Sequence, residues 1–292
     1  MQSTGLSALP VPEFGERLAA VFAQSGQLCL GIDPHAFLLA DWSLPDSATG
    51  AREFGLRAVE AAEGVVGIVK PQVAFFERFG SAGYAALERV IAAARSAGLL
   101  VIADAKRGDV GSTVAAYGSA WLTPGSPLEA DAMTISAYQG VGSLLQVIDI
   151  ARGAGKGLFV LAATSNPESV DTQTALRDRG SFVGRTVAAG IVGEVHQLNS
   201  DASGLGSVGV VLGATVDAAD YGIVAEELSS TPVLAPGFGE QGARVEDVVE
   251  LYGAAAPHVI ANVGRSVLRT GPAGIGRELS AQAVRLAEAL AR

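Results

Sequence analysis

Short runs rich in Val, Ile, Leu and Ala recur along the chain, each closed by a Gly, a Pro or a polar residue. They cover residues 28–33, 65–70, 99–106, 130–136, 157–164, 208–215, 232–236 and 258–264. Within each run the apolar residues are nearly continuous rather than alternating with polar ones. That pattern suits strands buried on both faces, as in a parallel sheet. Between the runs lie Ala-rich segments with helical spacing. In 83–97 the spaced residues are Leu87, Val90, Ile91 and Ala94; in 245–251 they are Val245, Val248 and Val249. Gly98 stands where a helix C-terminal glycine is expected.

Strand and helix alternating eight times predict a (β/α)8 TIM barrel, with an open doubly wound sheet as the rival. The chain has 292 residues, and such a barrel needs about 250. No linker composition marks a second domain, so 1–292 is read as one barrel domain. The longest gap follows the fifth run. It predicts a loop and helix insertion around 165–205: a polar loop over 165–181, then a helical run through Phe182, Thr186, Val187, Ile191 and Val195.

Composition narrows the function. Hydrophobic residues make up 49% and charged residues 17%, which excludes a disordered chain. The apolar runs are too short to span a bilayer, and residues 1–10 lack the basic start and apolar stretch of a secretory signal. Cys29 is the sole cysteine, so an internal disulfide and a cysteine metal cluster are out, and a buried thiol in a reducing cytoplasm is expected. A formal net charge of -10 argues against nucleic acid and anionic membrane as partners. Any phosphate site must then be built locally.

In a TIM barrel the chemistry sits at the C-terminal strand ends. There the sequence places Asp33, Lys70, Asp104, Lys106, Asp109 and Arg265. Charge is costly to bury unless paired, and this gathering is read as an active site, with a structural ion-pair network as the alternative. Asp104 and Lys106 are two apart and so share a side of a strand; Asp109 follows in the loop. A lysine flanked by two carboxylates is expected to stay protonated, as a proton donor rather than a Schiff-base nucleophile.

Gly237-Phe238-Gly239-Glu240-Gln241-Gly242 matches G-x-G-x-x-G. A dinucleotide site would place that motif after the first strand, whereas here it follows the seventh. A barrel builds its phosphate site from the loops after strands 7 and 8. Glycine N–H groups would cradle the oxygens, Gln241 would donate a hydrogen bond and Arg265 would clamp the phosphate. An ordinary turn with a surface arginine is the alternative. His35, His196 and His258 show no metal spacing. No H-E-x-x-H or G-x-S-x-G occurs, leaving zinc peptidase and serine hydrolase readings without support.

Asp104-Ala105-Lys106-Arg107-Gly108-Asp109 resembles the D-x-K-x-x-D signature of the orotidine 5′-phosphate decarboxylase family, and the likeness runs from Asp33 to Arg265. The chain is most similar to the longer, mycobacterial-type branch. The signature is shared with a wider superfamily that includes 3-keto-gulonate-phosphate decarboxylase; Lys70, the 237–242 loop and Val263-Gly264-Arg265-Ser266 narrow it. The resemblance implies a lyase of pyrimidine biosynthesis, converting orotidine 5′-monophosphate to UMP and carbon dioxide with no metal and no organic cofactor. It implies that Asp33 and Lys70 bind the ribose and that Asp104 sits against the substrate carboxylate. Lys106 would protonate C6, Ser165 would contact the base, and Gln241 and Arg265, with Gly237 and Gly239, would hold the phosphate. It also implies a homodimer in which Asp109 and Thr113 reach across the interface. A metal-dependent sugar-phosphate enzyme and a non-catalytic phosphate-sugar binder are the rivals.

Overall fold

The computed structural model describes residues 11–292; the segment 1–10, where no secretory signal was expected, lies outside them. Eight parallel strands close into a barrel in sequence order. They are β1 (Leu28–Ile32), β2 (Ile68–Pro71), β3 (Leu100–Arg107), β4 (Ala132–Ile135), β5 (Gly157–Ala163), β6 (Val208–Leu212), β7 (Val233–Phe238) and β8 (Val259–Val263). β8 returns to β1 through the pairs Leu28–Ala261 and Leu30–Val263, so no edge is left open. The continuous apolar runs follow from this closure. One face of each strand meets the helices outside and the other fills the barrel.

The inner filling is one compact cluster. Cys29, Ile68, Ile102, Ala132, Phe159, Val211, Leu234 and Ile260 each come from a different strand. Below them the helix α1 (Phe14–Ser25) plugs the barrel floor with Phe14 and Leu18, both fully buried. Phe14 meets Phe159 edge to face at 5.9 Å. Gly157 allows this approach, because a Cβ there would lie 2.3 Å from the Phe14 ring. One step further up the strands the inward positions turn polar: Lys70 above Ile68, Asp104 above Ile102, Thr134 above Ala132, Asn262 above Ile260. The two-residue period of a strand thus gives an apolar floor and a polar mouth.

Several expected boundaries shift for local reasons. β2 begins at Ile68 rather than 65, because Val65 and Val66 still donate to the carbonyl of Ala62 as the preceding helix ends. The helix expected over 83–97 is Gly80–Ser96, and Gly98 beyond it takes φ +74. The segment 245–251 splits into a 3-10 turn, Val245–Asp247, and a short helix, Val248–Tyr252.

The insertion differs more. A short helix, Ser169–Gln173, interrupts the expected loop, and an antiparallel bridge joins Leu176 to Thr186. Phe182 does not belong to the helical run, which starts at Val187. Thr186 caps that helix by accepting from the Ala189 N–H. Phe182, at φ +60, packs from the preceding turn onto Gly193, where a Cβ would sit 2.5 Å from its ring. Its apolar contact imitates helical spacing without being part of the helix.

Candidate active site

A cavity of about 270 Å³ opens at the C-terminal mouth of the barrel. Asp33, Lys70, Asp104, Lys106, Ser165, Gly237, Gln241 and Arg265 all line it. Residues from six strand ends therefore meet in one place, as the sequence suggested.

Asp104 is the hub. Its Oδ2 accepts from Lys70 Nζ at 2.8 Å and its Oδ1 from Lys106 Nζ at 2.5 Å. Thr134 Oγ1 donates to Oδ1 at 2.9 Å. With its amide nitrogen turned toward Asp104, Gln72 donates to Oδ2 at 2.7 Å and to the backbone carbonyl at 2.9 Å. Burial opposes ionisation of Asp104. The ammonium groups of Lys70 and Lys106, and the hydrogen bonds from both, outweigh it and hold the carboxyl well below the usual carboxylate range. Burial would lower Lys70, but Asp104 and Asp33 reverse that and raise it above the ordinary lysine value.

Asp33 is the counterexample. Its Oδ1 is closed off from solvent and has no hydrogen-bond partner. Burial pushes its carboxyl up, and Lys70 only partly offsets this. Asn262, which lines the same cavity, also has an unpartnered Oδ1. Unmatched acceptors are uncommon in native cores, and each asks for a donor. Both residues line the cavity wall.

Three expected residues do not reach the cavity. Asp109 accepts from the Val110 N–H at 2.8 Å, and neither it nor the exposed Thr113 lines the cavity of its own chain. The expected pair of carboxylates around Lys106 is therefore corrected: the arrangement is inverted, with one carboxylate, Asp104, between two lysines. Gly239 is also absent from the wall. Its N–H donates to the Ala243 carbonyl at 2.8 Å, and a Cβ there would sit 2.2 Å from Ser266 Oγ. Its glycine serves a tight turn and does not present an N–H to a ligand.

The loops after β5 and β7 are joined across the mouth by Ser165 Oγ donating to Gln241 Oε1 at 3.3 Å. Gly237 takes φ +119 where the β7–β8 register shifts, which turns the loop over the cavity. Arg265 lines the wall, while Arg269 nearby is occupied by Glu240 at 3.0 Å.

Gln72, Thr134 and Asn262 belong to none of the motifs that marked the other site residues in the sequence. Gln72 was visible as the residue closing the second run. Asn262 stood near the end of the eighth run, and Thr134 was visible only as a lone polar residue in a buried run, one period above an apolar inward position. His35 lies outside the cavity wall and packs against Phe37 and Phe75, 5.2 and 4.1 Å away. Cys29 is buried in the barrel, and burial pushes its thiol up to about 12, which suits the inert role expected. Among the described residues no three His, Cys, Asp or Glu side chains are grouped to hold a metal ion. No helix there is long and apolar enough to cross a membrane.

A family model described as orotidine 5′-phosphate decarboxylase / HUMPS family matches residues 26–274. The orotidine 5′-phosphate decarboxylase of Nocardioides sp. is 52% identical over 257 residues, 88% of this chain and 92% of its own. That of Salinispora arenicola is 51% identical over 259 residues, 89% and 91% of the two chains. A solved chain from Streptomyces avermitilis superposes with TM-score 0.92 at 45% identity, covering 97% of this chain and 98% of its own.

Proposed function

The chain belongs to the orotidine 5′-phosphate decarboxylase / HUMPS family, and from that premise we propose how its barrel mouth performs the reaction. The enzyme removes carbon dioxide from orotidine 5′-monophosphate to give UMP, a step of pyrimidine biosynthesis. One observation carries the mechanism: Asp104 and Lys106 are paired at 2.5 Å on the wall of a cavity that also holds Gln241 and Arg265.

Gln241 and Arg265, helped by the loop at Gly237, grip the 5′-phosphate. Asp33 accepts from the ribose hydroxyls, giving its unpartnered Oδ1 a donor, and Lys70 donates beside it. Ser165 contacts the base from the loop that already touches Gln241. The substrate carboxylate then lies against Asp104. When the bond from C6 to the carboxyl carbon breaks, its electron pair stays on C6 and carbon dioxide leaves. The Lys106 ammonium stabilises that charge and gives C6 a proton, leaving a neutral amine. This step calls on no cofactor. Phosphate binding is remote from the breaking bond, so its energy can be used for orientation.

We further take the whole chain to act as one barrel domain in a cytoplasmic homodimer. Asp109 and Thr113 lie outside their own chain's cavity, which is what a contribution to the partner's site requires. Mixing inactive Lys106→Ala and Asp109→Ala chains is then expected to regenerate some active sites. No recovery after verified subunit exchange would assign Asp109 to its own subunit. The function itself is tested by adding orotidine 5′-monophosphate with a chelator present and following the pyrimidine absorbance. An unchanged spectrum would overturn it.

A further inference from the structure

The geometry points to Thr134 as the positioning residue that holds the proton donor in place, an inference that rests on Lys106 being that donor. Lys106 is an unusual strand residue: its φ is +47, in the left-handed region that side-chain-bearing residues avoid. Such a conformation is costly and persists only where the surroundings over-determine it. The ladder beside it is broken. Ala103 pairs with Met133, but the next pair is Arg107 with Ile135, so four residues along β3 oppose two along β4. The excess bows Asp104, Ala105 and Lys106 out of regular register at the cavity.

Thr134 fills the gap that this bow leaves. Its hydroxyl accepts from the Lys106 backbone N–H at 2.9 Å and donates to Asp104 Oδ1 at 2.9 Å. One buried oxygen, on a residue 1% exposed, therefore ties the bowed backbone of Lys106 to the carboxylate that its ammonium engages. Both hydrogen-bonding directions of the hydroxyl are used, so its orientation is fixed. A valine has the same shape but neither bond. It would free the Lys106 N–H and remove one of the donors aimed at Asp104, while Gln241 and Arg265 on the far wall would be untouched. The expected loss is therefore in turnover rather than in binding.

The test compares Thr134→Val, Thr134→Ser and Lys106→Ala. For Thr134→Val, kcat is expected to fall about 100-fold, the scale of a small misplacement of a reacting group, with KM within about threefold of the parent. Exchange of the C6 proton of UMP in deuterium oxide, followed by NMR, should slow in parallel. Thr134→Ser keeps the hydroxyl and should recover kcat to within about fivefold. A parental kcat in Thr134→Val, an equal loss in Thr134→Ser, or a loss confined to KM would overturn the inference. If Thr134→Val does not fold, Thr134→Ala replaces it with the same expected and overturning results. Lys106→Ala separates the two levels. If it still turns over, the donor assignment itself fails; if it is inactive while Thr134→Val is normal, only the role of Thr134 fails.

Discussion

The barrel buries two charged clusters at opposite ends, and they are built to different standards. At the floor, Lys156 Nζ lies 2.9 Å from Glu129 and 3.4 Å from Asp131. Arg17 of the plug helix pairs with Asp131 and donates to the Gly155 carbonyl at 3.0 Å. The second oxygen of each acid takes a backbone N–H, from Val101 at 2.9 Å and from Gly125 at 2.8 Å. All four oxygens of Glu129 and Asp131 have partners. At the mouth, Asp104 is equally well matched, yet Asp33 and Asn262 keep orphaned acceptors and Lys106 stands on strained backbone. Both clusters are buried and charged, so neither property marks the active site. Unfinished hydrogen bonding and stored strain each also occur alone elsewhere, as an unpartnered Nδ1 at His196 and a left-handed backbone at Phe182, but the mouth combines them on one cavity wall, at the end of the barrel where ligands bind.

The largest effect that could break this contrast is on turnover. Lys106→Ala is expected to lower kcat by at least about 1,000-fold, combining lost proton transfer with lost charge stabilisation. Binding of UMP should remain measurable, because Gln241 and Arg265 are intact. Near-normal decarboxylation by this variant would refute the donor role. Lys156→Met should do the reverse. Removing one partner of a buried charge network costs about 3–5 kcal/mol of unfolding free energy, here at the lower end because Arg17 and Arg95 stay on the two acids. Urea unfolding measures it, and kcat at a permissive temperature should match the parent. A large fall in kcat with stability unchanged would mean that the floor takes part in function.

Asp33→Asn comes next. A hydrogen bond to a charged acceptor is worth about 1.5–3 kcal/mol, so kcat/KM should fall roughly 10- to 100-fold. Stability should not fall with it, since Asp33 Oδ1 has no partner to lose in the free protein and burial already disfavours its charge. If the variant keeps full kcat/KM, the orphaned acceptor is not a substrate contact.

How far the sequence alone reached follows the same division. The eight strands were legible because two-sided burial writes continuous apolar runs, and the residues closing those runs led to Asp33, Lys70, Asp104, Lys106, Gln241 and Arg265. The floor cluster lies at the other ends of the strands, where no such motif closes a run. Glu129, Asp131 and Lys156 precede strands β4 and β5, and there charge is gathered in a buried ion-pair network, the alternative that was open for the strand ends. Thr134 stayed unread for another reason. Its partners Asp104 and Lys106 are 30 and 28 residues away, and nothing local announces a long-range hydroxyl bridge. The alternation that placed Lys106 beside Asp104 was sound in outcome only, since the backbone there leaves the regular strand region.

The smallest expected effect sharpens the contrast from the floor side. Arg95 pairs with Glu129 at 2.7 Å, but its side chain is 39% exposed. An ion pair with one solvated partner contributes about 0–1 kcal/mol, so Arg95→Ala should lower urea stability by less than about 1 kcal/mol. The acid limb gives an independent reading. Burial opposes ionisation of Glu129, but the Gly125 N–H and Lys156 outweigh it, with Arg95 contributing least, and hold the carboxyl below its ordinary value. A depressed carboxyl stabilises the fold fully above its unfolded pKa, about 4.3, and that contribution is lost as pH falls through the folded value. Removing Arg95 leaves the first two partners in place, so the acid midpoint should scarcely move. Lys156→Met removes the stronger cation and should make stability less sensitive to acid in that range. Equal acid shifts in the two variants would mean that the exposed arginine holds Glu129 as strongly as the buried lysine does, and the distinction between a fully matched buried cluster and its solvated rim would fail.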